Sequence, residues 1–267
     1  METRCGGLLF LWSALHVDKL FSRGLLALML CASARAALAQ DYEREARLAD
    51  ETLAAVVVGD AVWLTQKNGH RLLGLYTKAK GERGAVVVAH GRGWSPDYDL
   101  YGELRTKLAD AGYSTLSIQM PVLPSTAHIG AYLPTYPDGD ERLSLAVGWL
   151  RAKGARHVAI VSHSLGATMA NHYLIDTPEP GVDAWVMISI INGLEDMFRI
   201  KVPVLDVFGG ADWEVTRVGA GERKAQIEKI AGSEQVVIPG AEHFFEGHRD
   251  ELARTITHFL DAIVAGR

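Results

Sequence analysis

The feature that most constrains this chain is an apolar run with no polar interruption, Ala85-Val86-Val87-Val88-Ala89. A strand that is apolar at every position has both faces covered, which suits a parallel sheet lying between helices. Residues 184–190 and 204–208 read as two more buried strands, and 114–118, 157–161 and 235–238 are further strand signals. Helical periodicity fills the intervals at 98–111, 141–153, 165–175, 221–230 and 250–264, with Ala111-Gly112 and Pro178 as stops. Ahead of this alternation, 61–65 and 72–77 flank Asn68-Gly69, a hairpin signal, so the sheet opens antiparallel. The expected fold class is α/β, a mostly parallel central sheet flanked by helices on both faces.

A length of 267 residues with 48% apolar content fills the core of one such domain. The net charge of -5, with both signs interspersed, leaves no electrostatic footprint for nucleic acid or an anionic membrane. A small-molecule substrate is the expected partner.

The first 39 residues have a different character. Lys19 and Arg23 precede an apolar stretch at 24–34, and Ala37-Leu38-Ala39 offers the small-x-small pattern of a signal-peptidase site. The expectation is a signal peptide over 1–39, cleavage after Ala39, and an exported domain over 40–267, periplasmic or secreted from a bacterium. The apolar stretch falls short of the ~20 residues a membrane span needs, so no integral span is expected in the mature form. An uncleaved anchor is the alternative, because Arg35 interrupts the region before the cleavage site; the long segment 1–18, with a second apolar patch at 8–12, also leaves room for a start further in. Both cysteines, Cys5 and Cys31, lie in this leader, so a cleaved chain has no disulfide. Leu30 before Cys31 argues against lipidation there.

Two segments of the mature chain stand apart. Residues 41–50 are highly charged with helical spacing and read as a solvated leading helix or linker with no site in it. Residues 120–139 carry four prolines and two glycines, which suggests a long ordered loop or a lid.

The chemistry centres on Ser162-His163-Ser164-Leu165-Gly166, set between a strand and a helix. A serine hydroxyl needs a base to remove its proton and a third group to orient that base. A sharp strand-to-helix turn flanked by small residues, G-x-S-x-G, presents such a serine. Ser162 replaces the first glycine, a departure that adds slight crowding. The bland reading of Ser164 is a helix N-cap. In the chain order of this motif an acid and then a histidine follow in loops after later strands. Gly209-Gly210-Ala211-Asp212 follows the strand at 204–208, and Pro239-Gly240-Ala241-Glu242-His243-Phe244 follows the strand at 235–238. Ser164, Asp212 and His243 are the expected catalytic set, with Asp206 and His248 as competitors. Asp206 lies within a strand and suits a local hydrogen bond; His248 suits a cap on the closing helix, and Asp212 taken alone suits a turn cap. A tetrahedral intermediate also needs N–H donors. Leu165 is one expected donor, and Arg92, in His90-Gly91-Arg92-Gly93-Trp94, is the other.

Trp94, Trp213, Tyr132 and Tyr136 are candidates for a substrate pocket, against the commoner reading that aromatic residues near loops simply pack. His128, His157, His172 and His258 lack metal-ligand spacing, so no metal is expected.

These motifs resemble the α/β hydrolases over nearly all of the mature length. Val88-Ala89-His90-Gly91, residues 162–166, 203–212 and 239–244 are similar to dienelactone hydrolase-like and small carboxylesterase members. His90-Gly91-Arg92-Gly93-Trp94-Ser95-Pro96-Asp97 with Thr115-Leu116-Ser117-Ile118-Gln119-Met120-Pro121 is similar to an uncharacterised bacterial family of exported α/β-hydrolase-like proteins. The resemblance implies a sheet of about eight strands and cofactor-free cleavage of a carboxylic ester or related acyl compound through an acyl-enzyme on Ser164. Acyl transfer or peptide cleavage would use the same residues. A non-catalytic binding or envelope protein on this fold is the competing class.

Overall fold

The structure, a computed structural model, describes residues 40–266 apart from 192, 193 and 195. The expected leader and cleavage site, with Cys5 and Cys31, lie outside the described residues. In chain order the elements are α1 (Tyr42–Ala55), β1 (Asp60–Thr65), β2 (Arg71–Thr77), β3 (Gly84–Ala89), α2 (Leu100–Asp110), β4 (Tyr113–Ile118), α3 (Tyr136–Ala152), β5 (Val158–His163), α4 (Leu165–Asp176), β6 (Ala184–Ile188), β7 (Val204–Gly209), α5 (Glu214–Val218), α6 (Ala220–Ile227), β8 (Glu234–Ile238) and α7 (Arg249–Ala265). Short 3₁₀ turns lie at Ile129–Thr135 and Met197–Arg199.

The strands form one eight-stranded sheet in the order β1-β2-β4-β3-β5-β6-β7-β8. β1 and β2 are the hairpin around Asn68-Gly69, β2 pairs antiparallel with β4, and every pairing from β4 through β8 is parallel. The chain steps from β3 outward to β4 and then returns past β3 to β5, so the strand order reverses there. Ligand sites in open parallel sheets lie at the carboxyl ends of the strands beside such a reversal.

The unbroken apolar strand β3 is buried along its whole length, as its composition requires, and β7 is buried likewise although it carries Asp206. Val87, Leu116 and Ile160 pack with Leu143, Ala146 and Leu150 of α3 and Ala167, Met169 and Ala170 of α4. Val86, Val88 and Val161 pack with Leu100, Leu104 and Leu108 of α2 and Leu252, Ile256 and Phe259 of α7. Among the described residues no helix is long and apolar enough to cross a membrane.

Three local expectations are corrected. The charged segment at 41–50 is helical but not a solvated linker: α1 packs Ala49 against Leu73 and Leu75 of β2 and buries Glu45. Glu45 is held by both Nη atoms of buried Arg142, at 2.9 and 3.0 Å, and lies 2.9 Å from His70 Nε2. The segment 120–139 buries Met120, Val122, Leu123 and Tyr132 but leaves 124–126, 128–130, 133 and 134 exposed. α3 begins at Tyr136, five residues before the expected start, because Pro137 falls in the first turn, where its missing N–H costs nothing. The helix expected at 221–230 is α6, which ends at Ile227, and the short α5 before it had no counterpart in the sequence reading.

Candidate active site

Ser164 connects β5 to α4 with φ 53° and ψ -121°, a backbone conformation that costs a non-glycine residue about 1–3 kcal/mol. Its N–H donates to the Ile188 carbonyl at 2.9 Å, which helps hold the turn. Its side chain makes no capping bond to α4, so the N-cap reading does not describe it. Gly166 makes the turn possible: a Cβ there would lie 2.4 Å from the His90 carbonyl oxygen and 2.7 Å from that of Ala89. The departure at Ser162 has a structural partner. The indole N–H of fully buried Trp185 donates to Ser162 Oγ at 2.8 Å.

Asp212 follows β7 and His243 follows β8, and His243 Nδ1 lies 2.7 Å from Asp212 Oδ1. The carboxylate also accepts the Trp213 N–H at 2.6 Å and the Ser189 hydroxyl. Burial pushes the Asp212 carboxyl up, but the bonds from His243 and Ser189, the charge on His243 and the Trp213 N–H outweigh it and hold it below the ordinary carboxylate range. An ionised Asp212 takes the Nδ1 proton as its hydrogen bond and leaves Nε2 as the basic nitrogen of His243. The half-exposed Trp213 indole stacks on the His243 ring with centroids 3.6 Å apart and planes 9° from parallel. Asp206 is spent elsewhere, on Arg223 at 2.9 Å and Gln235 at 2.7 Å. His248 stands at the N-cap position of α7 and makes no side-chain capping bond.

The turn after β3 is fixed by buried neutral groups. His90 Nε2 accepts the Met120 N–H at 2.9 Å, so its Nδ1 carries the proton and donates to the Gly91 carbonyl at 2.7 Å. The Gly91 N–H donates to the Tyr101 hydroxyl at 2.9 Å, and that hydroxyl lies 2.8 Å from His163 Nδ1. His163 Nε2 lies 3.0 Å from the His243 backbone carbonyl, which can only accept; Nε2 is therefore the donor and Nδ1 the acceptor for Tyr101. Burial, followed by the neighbouring His243 charge, pushes His163 down to about 3, and burial pushes His90 down to about 4. Both rings are neutral near pH 7. The Gly91 amide is thus engaged, while Leu165, the first residue of α4, has an N–H with no acceptor within its helix.

A cavity of about 480 Å³ opens over these groups, lined by Ser164, His243, His163 and Gly91 and walled by Arg92, Trp94, Ile129, Trp213, Val215 and Phe244. Ser164 and His243 line the cavity and Asp212 is bonded to His243; Arg92, Trp94 and Trp213 are in the walls, and Leu165, the residue after Ser164, is buried outside the lining. Tyr132 and Tyr136 are not in the cavity wall. Tyr132 is a core residue whose hydroxyl accepts the Leu123 N–H at 3.2 Å, and Tyr136 packs edge-on against His172 at 5.5 Å. Sequence reasoning missed Ile129, Val215, Phe244 and His163. His163 and Phe244 had a visible signal, each lying inside a motif beside a candidate catalytic residue.

Solved structures carry the same architecture. A dienelactone hydrolase from Anabaena variabilis superposes with a TM-score of 0.61 at 23% identity, over 76% of this chain and 96% of that one. This chain has the α/β-hydrolase fold. Two further structures with that fold are an α/β serine hydrolase without lid from Xanthomonas campestris (TM-score 0.61, 17% identity, 78% and 95% of the two chains) and an esterase from Pyrococcus furiosus (TM-score 0.61, 17% identity, 78% and 98%). Residues 25–136 match a family described as "Protein of unknown function (DUF3530)". No curated protein matches the chain. Within the α/β-hydrolase fold, the loops after β3, β5, β7 and β8 carry most of the groups around the cavity, and the segments after β4 and β6 add His128, Ile129 and Ile191 to its wall.

Proposed function

We propose that this protein is an exported serine hydrolase, periplasmic or secreted, that cleaves a carboxylic ester or related acyl compound through an acyl-enzyme on Ser164. The observation that carries the reading is the 2.7 Å Asp212–His243 bond beside a serine on a strained turn, with Ser164 and His243 lining one cavity. His243 Nε2 takes the Ser164 proton as Oγ attacks the acyl carbon. The Leu165 and Arg92 N–H groups stabilise the oxyanion, and His243 returns the proton to the leaving alcohol. Water, activated by the same nitrogen, then releases the acid and restores Ser164. The walls of Trp94, Ile129, Trp213, Val215 and Phe244 suit an apolar acyl group. The similar hydrolase and esterase structures support the reaction class, and the leader-like segment 1–39 supports export.

The test is labelling by a fluorophosphonate probe together with hydrolysis of nitrophenyl esters of graded chain length. Wild-type protein is expected to label at Ser164 and to turn over esters, while Ser164→Ala does neither and remains folded. An unlabelled wild type that is also inert on the ester panel would refute the hydrolase reading in favour of a non-catalytic binding protein.

A further inference from the structure

We propose that α1 is a positioning element for the oxyanion turn and that Arg44 is its positioning residue, an inference that rests on the hydrolase reading of Ser164. Arg44 reaches out of α1 with both arms of its guanidinium. Nη2 donates to the Gly93 carbonyl at 2.9 Å and Nη1 donates to the Leu123 carbonyl at 2.6 Å. The planar fork spans two carbonyls from separate loops, a task a single ammonium cannot perform in the same geometry. The turn is shaped around the fork. Gly93 has φ +74°, and a Cβ there would lie 3.1 Å from Nη2 and 3.2 Å from Nη1. A side chain at 93 would therefore be strained in its backbone and would crowd the guanidinium.

With Arg44 included, three carbonyls of the turn have fixed partners: His90 Nδ1 on Gly91, Arg44 on Gly93, and Gln119 Nε2 on Trp94 at 3.1 Å. Pinning carbonyls on both sides of Arg92 fixes the peptide planes around it and hence the direction of its N–H. The helix that supplies Arg44 is itself anchored toward the same place. The next residue, Glu45, binds Arg142, and Arg142 Nη1 also donates to the Gln119 carbonyl at 3.0 Å. The start of α1 is tied down as well, with the Asp41 N–H on the Val122 carbonyl at 2.8 Å and the Asp41 carboxylate capping the Arg44 N–H at 2.9 Å. Arg44 touches no reacting atom. Its effect passes through the turn, and such misplacement of an oxyanion donor lowers the rate of attack without removing the pocket.

The experiment compares wild type, Arg44→Ala, Arg44→Lys and, as a control on the exposed side of α1, Arg47→Ala. The readouts are the rate of fluorophosphonate labelling, kcat and KM on a nitrophenyl ester, and amide hydrogen exchange of the turn 90–97. Arg44→Ala is expected to slow labelling and kcat by about 10- to 100-fold, with KM little changed, and to speed exchange in the turn. Low concentrations of added guanidinium should restore part of the rate. Arg44→Lys, which keeps the stem and charge should the alanine variant fold poorly, is expected to fall in between, and Arg47→Ala to match wild type. Wild type that labels normally alongside Arg44→Ala or Arg44→Lys variants with unchanged labelling and exchange would overturn the clamp alone. Wild type that does not label would overturn the hydrolase reading and the clamp with it.

Discussion

Lowering the pH from about 7.5 to about 5 should destabilise this protein through two buried histidines, well before its carboxylates are titrated. His90 and His163 are held at about 4 and about 3 by burial, against an ordinary value of 6.5 that the unfolded chain regains. Because the folded values lie below the unfolded one, the unfolded chain takes up protons as pH falls through 6.5 while the folded protein does not. The stability they confer is complete above 6.5 and drains away below it, down to the folded values. Each histidine costs about 1.4 kcal/mol per pH unit in that window, so about 2 kcal/mol is lost per ring by pH 5 and about 4 kcal/mol for the pair. Against a domain stability of roughly 5–15 kcal/mol this is a large fraction. Burial pushes the Asp206 and Asp140 carboxyls above the ordinary carboxylate range, a shift whose effect on stability in acid has the opposite sign.

Urea unfolding at a series of pH values measures the slope directly. Wild type is expected to lose stability steadily below pH 6.5. His163→Asn removes one titrating ring and keeps a side-chain donor, so it should be less stable near neutrality but lose stability with a slope about one proton shallower. A wild-type stability that stays flat between about pH 6.5 and 5, or a slope unchanged in both His163→Asn and His90→Asn, would refute the assignment of these rings as neutral and buried.

Two further outcomes follow from single contacts. Restoring the usual glycine with Ser162→Gly should destabilise the protein rather than improve the turn: it strips the buried Trp185 N–H of its acceptor, about 1–3 kcal/mol, and places glycine in a central strand, about 0.5–1 kcal/mol more, both readable as a lower urea midpoint. Trp213→Ala removes the ring stacked on His243 and should lower kcat on nitrophenyl esters about 2- to 10-fold with little change in melting temperature; unchanged kcat would show that the stack does not hold the imidazole.

The sheet and the loops around the cavity were legible in the sequence because both depend on local pattern. Val86, Val87 and Val88 have one stable environment, a strand covered on both faces, and once the strands are in order the loops bearing Ser164, Asp212 and His243 fall at their carboxyl ends. What was not legible depends on partners far along the chain. Glu45 and Arg44 have the look of ordinary charges on a solvated helix, and only their contacts with Arg142, Gly93 and Leu123 show otherwise. Tyr132 and Tyr136 carry the same local signal as Trp94 and Trp213, since an aromatic ring in a loop segment packs inward or lines a cavity for reasons outside its own segment. Pro137 looked like a breaker because a proline in a helix's first turn and a proline that ends a helix differ only in where the helix starts.

The position of His163 draws these strands of reasoning together. It is the residue before Ser164, and its two nitrogens join the turn after β3, through Tyr101 and the Gly91 N–H, to the backbone carbonyl of His243. Loops that meet only at the sheet's edge are thereby spaced by one chain of buried bonds. That chain works only with a neutral ring, because a protonated Nδ1 can no longer accept from Tyr101. Burial and the nearby His243 charge supply the neutrality, and both come from packing the loops closely enough to share the cavity. The contacts that space the candidate catalytic groups are therefore the ones whose loss the acid unfolding curve reads out, so the pH slope of stability and the integrity of the site should fail together in His163 variants.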